Sequence, residues 1–236
     1  PHADQAFACS LNPTLETNVN SPANLQKGLQ AINAYDSLGV HGIRMHIGYP
    51  FFVNSFPNVQ EYITYFKTLA DHAKSKGMVL FVKSAITPNN PNYGAVDSTV
   101  NAFMTGKTRV NYLTEKTQML QTIIDSIVPD YLCMENEPTT MEASSGLAFS
   151  FAPDSVADFL TYYVSNLTNN SIQLGAAAGT WEELNYFDKM SDVDNLDFID
   201  FHIYPVFNDL FAAKLVERCE LVSSRGAPYY YPRWLC

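Results

Sequence analysis

The 236-residue sequence is 47% hydrophobic and 13% aromatic, which is ample for one large core. It carries 24 acidic residues against 14 Lys and Arg, for a formal net charge of −10. The basic residues are scattered, so binding of nucleic acid through phosphate neutralisation is not expected. No apolar run is long enough to cross a bilayer, and no membrane partner is expected either.

The start of the chain and two glycosylation triplets bear on the localisation of the protein. The chain starts with PHADQAF, so an export signal is either absent or already removed. Glycosylation triplets begin at Asn166 and Asn169. We therefore expect a secreted, extracellular protein, with no metal or cofactor. The cysteines have no metal-ligand spacing and are too few for a disulfide scaffold: Cys9, Cys133, Cys219 and Cys236.

Short β-rich runs alternate with longer amphipathic ones, which is typical of a parallel sheet with crossover helices. The predicted strands are residues 7–11, 42–47, 78–82, 130–135, 172–177 and 196–204. The predicted helices are residues 23–38, 59–76, 110–127, 153–166, 181–190 and 208–224. The stretch GAPYYY then begins like a seventh strand, before the final PRWLC.

This order favours a single domain, residues 1–236, with the α/β fold of a (β/α)8 TIM barrel that is incomplete after the start of strand seven. A doubly wound sheet would have a glycine-rich phosphate turn after an early strand. The candidate TGKTR at 105–109 lacks the earlier glycine of such a turn. An incomplete barrel leaves sheet edges open, so self-association through those edges is expected.

Polar residues follow several strands of the predicted barrel. Functional side chains of such barrels project from the carboxyl ends of the strands, and alternate residues of a strand share a face. The predicted shared faces are Cys133, Glu135 and Glu137 on strand four, Arg44 and His46 on strand two, and Asp200, His202 and Tyr204 on strand six.

Three motifs carry a family resemblance. IRMH on strand two, NEP at the end of strand four and HIYP at the end of strand six together resemble the clan-A (β/α)8 retaining glycoside hydrolases. The resemblance spans roughly residues 5–230. It implies hydrolysis of β-linked neutral oligo- or polysaccharides, with Glu137 as the general acid/base and Asn136 bonding the sugar 2-hydroxyl.

The same resemblance assigns further substrate-binding residues. Arg44 and Tyr204 would orient and discharge the nucleophile, and His202 or His46 would line the sugar subsite. Glycoside cleavage needs a proton donor that holds its proton near neutral pH, which a partly desolvated carboxyl can do. Glu135 would lie deeper on the same face, with a structural role such as pairing with Arg44.

The second carboxylate of the clan is a Glu at the end of strand seven, and it is missing from the chain as given. No acid follows Glu220, and Arg233 lies near the expected position. We favour a truncated or frame-shifted chain of a normal hydrolase over a catalytically inactive barrel that only binds carbohydrate. A metal-dependent aldolase or isomerase is a third reading, without a visible phosphate-gripping loop or ligand cluster.

Several of these residues have plainer readings. Glu137 is also a fair acid at a helix N-terminus, because Pro138 follows it. His202 alone fits a core histidine. Trp181, at the end of strand five, is either a sugar-stacking platform or a cap on the core. The aromatic residues at 49–52 either line a cleft or pack in a loop.

Overall fold

The computed structural model describes residues 8–15, 19–168 and 171–202. Six strands form one parallel sheet in sequential order: β1 Ala8–Ser10, β2 Gly42–His46, β3 Val79–Lys83, β4 Tyr131–Asn136, β5 Gln173–Gly179 and β6 Phe198–His202. The helices are α1 Pro22–Ser37, α2 Val59–Ser75, α3 Ser98–Met104, α4 Arg109–Ser126, α5 Pro138–Ser145, α6 Pro153–Asn166 and α7 Leu184–Ser191. Short 3-10 turns span Asn12–Leu15 and Pro91–Tyr93.

The strand order confirms the predicted fold class. Every neighbouring pair is parallel, and the order never reverses as it does in a doubly wound sheet. The sheet therefore forms six strands of a (β/α)8 barrel. The predicted seventh strand, the predicted helix 208–224 and Tyr204 lie outside the described residues.

Most predicted elements agree with the structure to within a few residues, and α6 agrees at both ends. The short helix α3 was not predicted, although Val100 and Met104 give it a buried apolar side. Its start is fixed by the Asp97 side chain, which accepts the N–H groups of Thr99 (2.7 Å) and Val100 (3.1 Å). Helix α5 begins at Pro138, so Glu137 does lie at a helix N-terminus, but its side chain makes no capping hydrogen bond there.

The sheet separates two apolar layers. One side packs against the helices, with alternate residues such as Ile43 and Met45 of β2 fully buried there. The other side faces the barrel interior, where an aromatic layer fills the space. Its members are Phe81, Cys133, Ala177 and Phe198, with Tyr131 against them. Toward the carboxyl ends of the strands, this layer gives way to charged side chains.

A β-bulge in β4 decides which side its residues face. Cys133 pairs with Gly175 of β5, but Glu135 pairs with Ala176, so β4 takes two steps where β5 takes one. Met134 packs in the helix-side core. Because of the extra residue, Glu135 also faces the helices.

The predicted position of Glu135 is therefore wrong. The bulge reverses the expected alternation, and the Glu135 carboxylate accepts hydrogen bonds from the hydroxyls of Tyr112 (2.8 Å) and Tyr163 (2.7 Å). Its expected pairing with Arg44 is also wrong, since the Arg44 guanidinium lies in the barrel interior, 5.5 Å from the ring centre of Phe81.

Candidate active site

Glu137 directly follows β4 and joins it to α5. Its backbone is left-handed (φ 47°, ψ 70°), which is uncommon for a residue with a Cβ. Its N–H donates to the carbonyl of Ala177 (2.9 Å), and its own carbonyl accepts the N–H of Met141 (2.9 Å). A backbone of this kind costs about 1–3 kcal/mol and is characteristic of sites where position matters. Only 12% of the Glu137 side chain is exposed.

The Glu137 carboxylate contacts a histidine of the barrel interior. Its Oε1 contacts Nδ1 of His202, the last residue of β6. Nε2 of the same ring contacts Nζ of Lys83 and lies 3.3 Å from Oδ2 of Asp200. Lys83 and Asp200 are themselves joined by a buried ion pair of 2.6 Å. Glu137, just after β4, thus forms one connected chain of side chains with Lys83 of β3 and with Asp200 and His202 of β6.

Burial and nearby positive charges keep His46, the other histidine of the barrel interior, neutral. Burial, together with the charges of Lys83 and Arg44, lowers the pKa of His46 to about 3. The His46 ring is therefore neutral near pH 7. Burial also lowers the pKa of Lys83, while the neighbouring Asp200 carboxylate opposes that change.

Asn136 offers an unused acceptor beside Glu137. It pairs with Ala177 of β5, whose side chain belongs to the interior layer, so the Asn136 side chain also faces inward. Its Oδ1 is buried and has no hydrogen-bond partner among the described residues. Buried polar atoms are nearly always satisfied, so this oxygen is suited to a hydroxyl or amine brought by a ligand.

Trp181 forms part of the rim of the barrel. Its side chain is 39% exposed, and its ring lies over Gly179, the last residue of β5. A Cβ at position 179 would fall 2.2 Å from a ring atom, so the absence of a side chain there permits this placement. Gly179 is also the neighbour of His202 across the sheet. The indole thus presents an apolar surface next to the polar chain.

Glu182 is a site residue that was not predicted. It is buried, and it accepts the N–H of Thr139 (2.8 Å), the hydroxyl of Thr139 (3.0 Å) and the N–H of Gly179 (2.7 Å). It therefore ties the first turn of α5, and with it Glu137, to the end of β5. Burial raises the pKa of Glu182, while its hydrogen bonds from Thr139 and Gly179 oppose that change. The adjacent acids of GTWEE were the sequence signal for it.

Lys83 was also missed, because a lysine after the apolar run MVLFV reads as the end of the strand. The structure instead brings Lys83 together with the predicted Glu137 and His202 and with Asp200. The predicted Asn136, Arg44 and His46 also face the barrel interior, and Trp181 lies at its rim. The aromatic residues at 49–52 are packed: Tyr49 and Phe52 are fully buried, and Phe51 stacks on Tyr62 at 4.6 Å.

Comparison with solved structures gives 220 matching chains. The β-glycosidase BGL167 has a TM-score of 0.61 at 9% identity, covering 95% of this chain and 75% of its own. The GH113 β-mannanase AaManA from Alicyclobacillus acidocaldarius has a TM-score of 0.55 at 12% identity, covering 95% and 68%. For Fpglu1 from Fervidobacterium pennivoraus, the values are 0.52, 11%, 84% and 61%. The chain has a glycoside hydrolase-like barrel fold.

The likeness to these glycoside hydrolases is one of fold. The chain spans 61% of the length of Fpglu1, which is less than two thirds. No family model matches the sequence, and no curated protein matches it. Within residues 8–15, 19–168 and 171–202, no cluster of three or more His, Cys, Asp or Glu is arranged to hold a metal ion. In that same part of the chain, no helix has both the length and the apolarity to traverse a bilayer.

Proposed function

We propose that this barrel binds and cleaves β-linked neutral oligo- or polysaccharides by a retaining mechanism, with Glu137 as the acid/base. The carrying observation is the placement of Glu137 at the end of β4. There its strained backbone and its contact with His202 hold a mostly buried carboxyl at the mouth of the barrel. A carboxyl in such a setting can keep a proton and deliver it to a leaving oxygen.

The surrounding side chains support a sugar rather than a charged substrate. The buried Oδ1 of Asn136 can accept a hydrogen bond from a hydroxyl adjacent to the reacting carbon. The exposed face of Trp181 suits the apolar face of a sugar ring. Arg44 and His46 complete the interior wall on β2, and we propose Tyr204 as a further substrate contact from outside the described residues.

Retaining hydrolysis also needs a second carboxylate about 5–5.5 Å from the first. We propose turnover for a barrel in which that carboxylate is supplied. The second candidate function is a catalytically inactive carbohydrate-binding barrel. It needs no second carboxylate and keeps the same contacts to sugar. We propose a secreted location in either case.

The two candidates can be separated with a panel of β-linked glucan, mannan and mixed oligosaccharides. Calorimetry would measure binding, and the release of reducing ends would measure cleavage. Binding together with cleavage supports the hydrolase, and binding without cleavage supports the inactive barrel. Trp181→Ala should weaken binding, whereas Leu38→Ala, a change of an exposed apolar residue at the end of α1, should not. Absence of binding to every member of the panel would overturn both candidates.

A further inference from the structure

We propose that Lys83 and Asp200 are positioning residues that fix the tautomer of His202, and that His202 thereby places the exchangeable proton of Glu137 on Oε2. This inference rests on the proposed acid/base role of Glu137. It concerns two side chains at the floor of the site that the proposed reaction does not otherwise use.

The Lys83–Asp200 ion pair is buried. The side chain of Lys83 is fully buried, and that of Asp200 is 2% exposed. Lys83 lies two residues after Phe81 on β3, and Asp200 lies two residues after Phe198 on β6, so the pair is nearer the carboxyl ends of the strands than the aromatic layer. Desolvating two charges offsets much of their attraction, so such a pair contributes little to stability by itself. A role in orienting a neighbouring group would account for its position.

Donor and acceptor chemistry determines which ring nitrogen of His202 carries the proton. An ammonium group has three N–H donors and no acceptor. The 2.6 Å ion pair with Asp200 holds Lys83 as the ammonium, and the same Oδ2 lies farther from Nε2 of His202, at 3.3 Å. The Lys83 Nζ also contacts Nε2, so this nitrogen accepts from the ammonium. A neutral imidazole carries one proton, which then lies on Nδ1. Nδ1 contacts Oε1 of Glu137, and the Nδ1–H therefore donates to that oxygen.

The reacting proton lies on the carboxyl oxygen of Glu137 that His202 does not contact. Because Oε1 accepts the Nδ1–H, protonated Glu137 carries its own proton on Oε2. That proton passes from Oε2 to the glycosidic oxygen as the bond to the leaving group breaks. Oε2 later takes a proton from the attacking water. His202 keeps its Nδ1 proton throughout and so acts by orientation rather than by proton transfer.

The neighbouring charges influence how many protons the His202 ring carries. Without the Lys83 cation, the His202 ring would lie between the carboxylates of Glu137 and Asp200, which favours a doubly protonated ring. The other titratable or charged groups facing this cluster come from β2, β4 and the segment after β5. They are Arg44 and His46, Cys133, and Glu182. Of these groups none is recorded in contact with the His202 ring, whereas Nζ of Lys83 contacts its Nε2.

The test is nitrogen NMR of the histidine rings in the full chain, without sugar. The protein has five histidines, and His202→Gln assigns the signal of His202. At pH 7 the wild-type ring should be protonated on Nδ1 and bare on Nε2. A ring protonated on Nε2, or on both nitrogens, would overturn the proposal. This reading needs no substitution in the Lys83–Asp200 pair and no turnover.

A matched pair of variants adds a second reading. In Lys83→Met, the pH at which His202 takes a second proton should rise by about 1–3 units. Lys76→Met removes an exposed lysine paired with Asp36 at 3.1 Å and should leave that pH unchanged. Equal behaviour of the two variants would contradict the proposal. Failure to bind any glycan would overturn the proposed function while leaving the His202 tautomer measurable, so the two failures are distinguishable.

Discussion

Trp181 and Gly179 act together at the rim of the barrel. The indole can lie over the end of β5 only because position 179 has no side chain. We expect Gly179→Ala to displace the ring and to weaken glycan binding about five- to tenfold, where tenfold corresponds to about 1.4 kcal/mol. Calorimetry measures the affinity, and Trp181 fluorescence reports the displacement, with Trp181→Phe separating it from Trp234.

Gly77→Ala is the control for that variant. Gly77 has φ +73° at the end of α2, and an added Cβ there meets no atom within 4 Å. Alanine at this position should lower stability through backbone strain without changing glycan affinity. An unchanged affinity in Gly179→Ala would show that the ring position does not matter for binding.

The charged residues of the site were only partly predictable from the sequence. Glu137 and His202 lie in recognisable motifs at strand ends, and strand alternation correctly placed Arg44 and His46. Lys83 was missed because nothing in a local sequence pattern shows which buried anion will meet a lysine. Here that anion, Asp200, is 117 positions away and reaches Lys83 only through the closing of the sheet.

The β4 bulge with its helix-side hydrogen bonds explains how the fold positions Glu137. Glu135 is fully buried, and the two tyrosine hydroxyls from α4 and α6 satisfy it. Burial raises the pKa of Glu135, while Lys116 and the two tyrosines oppose this change. A bulge leaves the apolar run of a strand intact, so alternation read from sequence gave the wrong face for Glu135.

Removing one of these hydrogen bonds should destabilise the bulge. We expect Tyr163→Phe to lower the free energy of unfolding by about 1.5–3 kcal/mol, because a buried acidic group loses a donor. Tyr162→Phe, on the exposed side of the same helix, should change it by less than about 0.5 kcal/mol. Urea denaturation measures both variants. Equal effects would mean that the hydroxyl of Tyr163 does not stabilise β4.

The link from Glu182 to α5 predicts a pH dependence. Burial raises the pKa of Glu182 above its unfolded value, so the folded state holds this proton more tightly than the unfolded chain does. Its contribution to stability is therefore fully present below the unfolded value of 4.5 and is lost as pH rises through the folded value. Glu182→Gln keeps an acceptor oxygen but cannot ionise.

We expect the stability of the wild type, relative to Glu182→Gln, to fall as pH rises above about 4.5. Thermal unfolding of both proteins at several pH values measures this difference. Glu183→Gln is the control, because Glu183 is an exposed neighbour at the start of α7. Its stability should change with pH as that of the wild type does. A difference that grows in the wild type's favour with rising pH would contradict the assigned direction.

The six described strands leave β1 and β6 as the outer strands of the sheet within that part of the chain. Self-association through sheet edges remains a prediction. We expect sedimentation velocity to show a species heavier than the 26.4 kDa monomer as concentration rises. A monomer at all concentrations would indicate that these edges are covered within a single chain.

The central claim is that Glu137 delivers a proton to a sugar held at the barrel mouth. External formate in the assay can stand in for a second carboxylate. The most direct measurement is the formate-dependent release of reducing ends from β-linked oligosaccharides, whose sugar leaving group needs a proton, by the wild type, Glu137→Gln and Glu183→Gln. We expect cleavage by the wild type and Glu183→Gln, and a loss of about 100-fold or more in Glu137→Gln. Equal rates in all three proteins would contradict the account.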